Sequence, residues 1–133
     1  MKSMALLGLI LLISTAIGFF YRSKNGVIRK KRRLHISEAE FAGPYGARVT
    51  ILQFSTTFCS QCRAAKSLIS DVVKDEKDIS YLEIDAESNL ALVRKVDVRS
   101  TPTTIFLDKG GFEIARATGA PKRDQLLKVI ASL

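Results

Sequence analysis

The segment at residues 4–21 constrains the fold of this chain most, because it has no charged residue and is rich in Leu, Ile, Phe and Ala. Eighteen such residues reach the length at which a helix can span the hydrocarbon core of a membrane. Aromatic residues at 19–21, followed by Arg22, are typical of the interfacial end of a membrane helix. We therefore predict a transmembrane anchor over residues 1–21, which leaves about 100 residues for one folded domain.

A cleaved signal peptide is the alternative interpretation of this segment. Ser14, Thr15 and Ala16 loosely fit the small-residue cleavage site that follows an apolar stretch. Against this, apolar residues continue past that site, only Lys2 is charged before it, and a strongly basic segment follows. The anchor is therefore the interpretation that we carry forward, with the signal peptide as its alternative.

The formal net charge of +8 is confined to the N-terminal part of the chain. Residues 1–33 contain eight Lys or Arg and no acidic residue, whereas residues 34–133 contain 13 basic and 13 acidic residues. The predicted domain is thus neutral, and we expect no nucleic-acid partner. Residues 29–33 fit a solvated flank beside a membrane helix better than a nucleic-acid or nuclear-import patch, and they can also contact anionic lipid headgroups.

The same charges predict the orientation of the anchor. Seven Lys or Arg lie in the dozen residues after the apolar run, and only Lys2 precedes it. Because basic flanks favour the cytoplasmic side, we expect a single-pass protein of the cell membrane with its domain in the cytoplasm. Residues 22–34 are interpreted as a basic juxtamembrane linker with a turn at Asn25 and Gly26, and residues 35–133 as the domain.

The domain has the pattern of an α/β fold. Buried strands are indicated by the β-branched and apolar residues of 49–54 and 79–85, and an amphipathic helix by the spacing of apolar residues in 60–74. A short helix is expected at 90–96, a hairpin at 103–118 with its turn at 108–111, and a last helix from 122 or 123 to 132. A further short helical turn is expected after Ser37. This order predicts a mixed β-sheet flanked by helices.

Cys59 and Cys62 lie where the first strand gives way to the helix. A C-x-x-C pair in this position indicates a redox dithiol, whereas a structural zinc site would need four ligands and His35 is the only histidine. At a helix N-terminus the Cys59 thiolate would be stabilised by free N–H groups and the helix dipole. Cys59 is then the expected nucleophile and Cys62 the resolving thiol, and two incidental core cysteines are the alternative.

Across nearly the whole domain the sequence resembles the thioredoxin family. The resemblance lies in the strand 51–54, the segment 58–62, the strand 82–85, the stretch 96–103, the glycines at 110 and 111, and Gly119 with Ala120. It implies a thioredoxin-like mixed sheet, preceded here by one N-terminal transmembrane helix. It also implies protein-disulfide oxidoreductase activity with no cofactor besides the redox-active disulfide.

The resemblance further implies a substrate-binding surface beside the dithiol. Thr101 and Pro102 match the family's cis-proline element, where the backbone of Thr101 would pair with an extended segment of substrate. An ordinary proline at the start of a strand is the alternative for Pro102. Phe58 is expected to give Cys59 an apolar cover and to contribute to substrate binding.

Several positions depart from the family pattern. Gln53 replaces a buried Asp, Tyr81 replaces a Lys, and Ser55 and Phe58 replace tryptophans. Ser60 and Gln61 replace the usual Gly-Pro between the cysteines. Because an amide cannot take up the proton of the resolving thiol as a carboxylate can, this proton must pass to water or to another group.

Three functional hypotheses follow from these features. The first is a membrane-anchored oxidoreductase that reduces protein disulfides at the cytoplasmic face and is itself reduced by an unidentified thiol donor. The second is the same chemistry on the outer side of the membrane, as a reductase or an oxidase for exported proteins. The third is a non-catalytic docking module that binds a membrane partner through the face at Thr101 and Pro102.

Overall fold

The computed structural model describes residues 2–24, 26–30 and 34–133. Its first element is helix α1, Lys2–Lys24, whose side chains from Ser3 onward are exposed. In the described part of the chain, only the segment Ser3–Lys24, which contains an 18-residue stretch with a mean hydropathy of 2.2, is long and apolar enough to cross a membrane. A signal sequence near the N-terminus would pass the same test, so composition alone does not separate the two interpretations.

The rest of the chain forms a mixed five-stranded sheet with helices on both faces. The strands lie in the order β1-β5-β4-β2-β3, and only the β2–β3 pair is parallel. The strands are β1 (Ile28–Lys30), β2 (Val49–Ser55), β3 (Ile79–Asp85), β4 (Thr103–Asp108) and β5 (Glu113–Thr118). The helices after α1 are α2 (Glu38–Phe41), α3 (Ser60–Val73), α4 (Leu90–Lys95) and α5 (Arg123–Ala131). The predicted α/β fold and its element order are thus confirmed.

Strand β2 is buried along its whole length because helices cover both faces of the sheet. Alternate side chains point to opposite faces, so Leu52 and Phe54 pack in the cluster beside α2 and α4. Val49 and Ile51 pack on the other face, with Ile69 of α3 and apolar residues of α5. Gln53 and Ser55 continue that second face, which places polar side chains beneath the start of α3.

The segment interpreted as a linker forms part of the sheet. Residues 28–30 form the edge strand β1, antiparallel to β5, with Ile28 opposite Ala117. The residues interpreted as a basic juxtamembrane linker, 22–34, thus include the end of α1 at Lys24 and the strand β1. The pairing partner lies nearly 90 residues along the chain, so local periodicity does not reveal it. Asn25 of the predicted turn and residues 31–33 of the basic run lie outside the described residues.

Candidate functional site

The two cysteines lie at the carboxyl end of β2, where the chain leaves the sheet and enters α3. They form a disulfide with a Cα–Cα distance of 5.1 Å, which is within the ordinary range. Cys59 is the N-cap residue of α3, and Cys62 lies in its first turn. The predicted position at a helix N-terminus is confirmed.

The two sulfur atoms have different surroundings in the first turn of α3. The backbone N–H of Cys62 donates a hydrogen bond of 3.1 Å to Sγ of Cys59, as a capping side chain receives one at a helix start. Cys59 is partly exposed, whereas Cys62 is 2 % exposed. Cys59 therefore has both the access and the hydrogen-bond donor that an attacking thiolate needs.

Thr101 and Pro102 lie next to the disulfide-bearing loop. The peptide bond between them is cis, as the resemblance implies. The hydroxyl groups of Thr101 and Thr56 are 3.4 Å apart, which places Thr101 against the loop that leads to Cys59. The pairing of β4 with β2 begins at Thr103, so Thr101 lies beyond the last register pair of that ladder.

Phe58 precedes Cys59 but does not cover it. Its side chain is 96 % exposed, so it buries almost no surface against its neighbour. The expected apolar cover is therefore wrong, because the side chain extends from the loop into solvent rather than over the sulfur atoms. An exposed aromatic ring beside the reactive cysteine remains available to a partner.

Below the disulfide, a chain of neutral hydrogen bonds replaces the family's buried charges. The Nε2 group of Gln53, which is fully buried, donates a 2.9 Å bond to the carbonyl oxygen of Cys62. The Tyr81 hydroxyl donates a 2.7 Å bond to Oε1 of Gln53. Burial and, to a lesser degree, the Glu83 carboxylate raise the pKa of Tyr81 above its usual value. The two departures from the family pattern thus form one chain that ends on the backbone of Cys62.

Beside the disulfide opens a polar cleft of about 400 Å³. Its wall includes both cysteines, and Glu83 lies in it with its Oε1 accepting a 2.7 Å bond from the Ser55 hydroxyl. The Lys66 ammonium group lies 2.5 Å from the other carboxylate oxygen. This bond from Lys66, supported by Ser55, holds the pKa of Glu83 below its usual range although partial burial opposes it. Glu83 is therefore ionised at neutral pH.

The cleft adds residues that the sequence analysis did not assign to the site. Glu83 of β3 is opposite Gln53 in the parallel register and accepts a bond from Ser55, two residues further along β2. Lys66 reaches Glu83 from the second turn of α3. The replacement of a tryptophan by Ser55 is the one sequence signal for this space, because it removes a large side chain beside the dithiol. The Glu83 carboxylate lies in the same cleft as Cys62. It is therefore a candidate acceptor for the proton of the resolving thiol, which Gln53 cannot accept.

No group of three or more His, Cys, Asp and Glu side chains that could hold a metal ion occurs among the described residues. The reactive group that the site contains is the Cys59–Cys62 disulfide. It can accept two electrons to become a dithiol and return them to another disulfide.

Comparisons with known proteins agree with this geometry. Residues 34–132 match the family model described as Thioredoxin. The chain is 30% identical to thioredoxin-2 of Saccharomyces cerevisiae over 84 residues, which are 63% of this chain and 80% of the yeast protein. It is 34% identical to thioredoxin H5 of Oryza sativa subsp. japonica over 77 residues, which are 58% of this chain and 56% of the rice protein. The match thus spans little more than half of the rice relative.

Solved structures show the same relationship. A thioredoxin-2 described as a component of the malaria parasite protein secretion machinery has a TM-score of 0.60 and 28% identity, covering 65% of this chain and 84% of its own. Thioredoxin f from spinach chloroplast has a TM-score of 0.58 and 26% identity, covering 65% and 77%. With a family model that covers three quarters of the sequence and a disulfide at the family's position, the chain belongs to the thioredoxin family of thiol–disulfide oxidoreductases.

Proposed function

We propose that this protein is a membrane-anchored oxidoreductase that reduces protein disulfides through Cys59 and Cys62. The observation that carries the proposal is the asymmetry of the pair: Cys59 is partly exposed at the helix N-cap and receives an N–H hydrogen bond, while Cys62 is buried one turn further on. This is the arrangement that a nucleophile and a resolving thiol require.

The proposed reaction begins with the reduced pair. The Cys59 thiolate attacks one sulfur of the substrate disulfide, that bond breaks, and the departing substrate sulfur takes up a proton. Cys62 then loses its proton and attacks Sγ of Cys59, which releases the second substrate sulfur as a thiol. The substrate gains two electrons, and the protein is left with the Cys59–Cys62 disulfide. A thiol donor of unidentified nature returns the pair to its reduced form.

The path of the Cys62 proton follows from the surroundings of that residue. Gln53 donates a hydrogen bond to its carbonyl oxygen and has no basic group to offer. Glu83 lines the same cleft as both cysteines and is ionised. Water in this cleft is the proposed first acceptor, with the Glu83 carboxylate as its hydrogen-bond partner.

The substrate would bind across the surface that joins the loop before Cys59 to the start of β4. An extended segment can pair with the backbone at Thr101, because the strand ladder there has ended at Thr103. Pro102 lies buried beneath this segment and Phe58 is exposed at its side. The substrate would thus gain a backbone partner in Thr101 and an apolar contact in Phe58.

The membrane part of the proposal rests on α1 and the charges that follow it. The 22-residue segment Ser3–Lys24 is apolar and unburied, so it has no place in the core of the domain. Seven basic residues after the apolar run favour a cytoplasmic domain. A reporter that is active on one side of the membrane, fused after Leu133, tests this orientation, and activity on the outer side would reverse it.

A trapping experiment tests the catalytic proposal. In full-length Cys62→Ser protein, Cys59 can attack substrate disulfides but no thiol remains to resolve them, so mixed disulfides should accumulate and be visible on non-reducing gels. Cys59→Ser is the matched control and should trap nothing, since Cys62 is buried. If neither variant traps a partner and the native protein reduces no protein disulfide, the oxidoreductase proposal is wrong and the docking module becomes the alternative.

A further inference from the structure

The end of the sheet that carries the dithiol is also the end at which the chain arrives from α1. Strand β1 starts at Ile28 opposite Ala117 and runs antiparallel to β5, away from this end. The register then continues from Thr118 of β5 to Thr103 of β4, and from Thr103 to Phe54 of β2. Strand β2 leads directly to Cys59, so the anchor and the disulfide share one edge of the domain.

The junction between α1 and the sheet lies at Gly26, and two hydrogen bonds connect it to the site. The N–H of Gly26 donates a 2.7 Å bond to the carbonyl of Thr118, and the N–H of the next residue, Gly119, donates a 2.8 Å bond to the carbonyl of Pro102. Across the sheet, β1 and β2 are three strand spacings apart, which is about 14 Å. The entry point of the chain is therefore a neighbour of the proposed substrate-binding surface.

The junction is also closely packed. Gly26 has a φ of +78°, and a Cβ at this position would lie 2.2 Å from the carbonyl oxygen of Ala120. The N–H of Ile28 donates a 3.1 Å bond to the side chain of Gln125 in α5. The domain is thus joined to the segment after the anchor by specific contacts, which a freely swivelling tether would lack.

The chain between the apolar run and this junction is short. Tyr21 is the last residue of the run, α1 continues to Lys24, and Gly26 is already bonded to the sheet. At 1.5 Å per helical residue and 3.8 Å per extended residue, Gly26 lies at most about 12 Å from the membrane interface. The end of the sheet that carries the disulfide is therefore also the end that is tethered near the membrane.

We propose that the substrates are disulfides of membrane proteins that lie close to the bilayer surface, and that disulfides further into the aqueous phase are poor substrates. This inference rests on the proposed function, because it requires both the anchor and the dithiol. Each turnover breaks one disulfide of the membrane protein and forms the Cys59–Cys62 disulfide, and each of the two substrate sulfurs takes up one proton. Proximity acts here through effective concentration, since enzyme and substrate are confined to the same thin layer.

The test uses the full chain, reduced beforehand and placed in liposomes with a transmembrane peptide that carries one disulfide. The disulfide lies either next to the membrane or on a helical stalk about 40 Å above it. We expect single-turnover reduction of the near disulfide to be at least about tenfold faster than that of the distant one. Soluble insulin, added to the same liposomes, reports dithiol activity independently of position.

A spacer variant is the matched control for geometry. Twenty Gly and Ser residues inserted directly after Lys24 leave the contacts of Gly26 in place but separate the domain from the membrane by about 25 Å on average. The preference for the near disulfide should then fall to about twofold or less, with insulin reduction unchanged.

The other possible outcomes contradict either this inference alone or the proposed function as well. Equal rates for the near and distant disulfides, or a preference that survives the spacer, would overturn the inference and leave the oxidoreductase proposal intact. Reduction of insulin with neither peptide reduced would also overturn it. If neither peptide nor insulin is reduced, the proposed function is overturned, and with it the inference.

Discussion

Two polar groups of residues contact the start of α3, and they differ in charge. The inner group, half-buried Tyr81 and fully buried Gln53, is neutral and ends on the carbonyl oxygen of Cys62. The outer group, in which Glu83 lies between Ser55 and Lys66, is charged and opens to solvent through the cleft. The family's usual carboxylate and lysine are absent from the inner position, while an acid and a lysine stand at the outer one.

This difference suggests a division of roles. Neutral hydrogen bonds in a buried place fix geometry without adding charge, so the inner group should hold the backbone of the resolving cysteine. Charges at the rim act on the dithiol through space and are screened by water, so the outer group should adjust the stability of the thiolate by a small amount. The inner group is then a determinant of stability and the outer group a determinant of redox potential.

The largest expected effect is that of Gln53→Leu. This change leaves the buried Cys62 carbonyl and the half-buried Tyr81 hydroxyl without their partner. Each unsatisfied group costs about 1–3 kcal/mol, so the free energy of unfolding of the oxidised protein should fall by several kcal/mol. Urea unfolding in detergent, followed by circular dichroism, measures this.

Gln53→Glu is the isosteric control for that variant. Burial would raise the pKa of the new carboxyl above its value in the unfolded chain, so the protonated form would be favoured in the folded state. Stability should therefore be highest below the unfolded pKa and should fall as the pH rises through the folded one. If Gln53→Leu is as stable as the native protein, the inner group has no structural role.

Tyr81→Phe should have a smaller effect in the same direction. It removes the hydroxyl but leaves the bond from Gln53 to Cys62, so one amide oxygen loses its donor. We expect a loss of about 1 kcal/mol in the free energy of unfolding and little change in the redox potential. A large change in potential with unchanged stability would reverse the roles assigned to the two groups.

The outer group should act on the redox potential with a predictable sign. Glu83→Gln removes a negative charge from the cleft. The loss of this charge favours the Cys59 thiolate, so the reduced form is stabilised and the redox potential should rise. Lys66→Met removes the opposite charge and should lower the potential. For charges screened at a surface we expect shifts of about 5–20 mV, measured by equilibration with glutathione at low and high salt.

The two variants control each other because they alter the same ion pair from opposite sides. Shifts of equal sign, or shifts that high salt does not reduce, would show that the cleft changes the dithiol through structure rather than through charge.

The sequence predicted most of this framework but not the contacts within it. Apolar periodicity sufficed for β2 and α3, and the position of the cysteines followed from those two elements. The strand β1 could not be found in this way, because its three residues are stabilised by pairing with Ala115, Arg116 and Ala117 far along the chain. Its basic flank suggested a solvated linker instead.

The candidate site shows the same limit. Cys59, Cys62 and the cis bond at Pro102 followed from motif and resemblance. The departures at 53 and 81 were visible as single substitutions, yet only the structure joins them into one hydrogen-bonded chain. Glu83 had no local signal at all, since its partners are 28 and 17 residues away in the sequence.

The smallest expected effect is at a distance from the dithiol, in the ion pair of Glu40 and Lys95. The Lys95 ammonium lies 2.6 Å from one Glu40 oxygen, and the other oxygen accepts a 2.8 Å bond from the N–H of Ser37. The hydrogen bond from Lys95, followed by that from Ser37, lowers the pKa of Glu40 to about 2. The Glu40–Lys95 pair therefore serves as the control for the Glu83–Lys66 pair, because it is a charged contact that does not face the disulfide.

The pH dependence of this contact follows from the direction of the shift. Because the folded-state pKa lies below the unfolded value of 4.5, the contact stabilises the protein above pH 4.5 and loses its contribution as the pH falls toward 2. Glu40→Gln should cost about 0.2–1 kcal/mol at pH 7 and nothing at the acid end, with no change in redox potential. A shift in potential as large as that of Glu83→Gln would mean that charges anywhere on the domain reach the dithiol, and that the cleft has no special role.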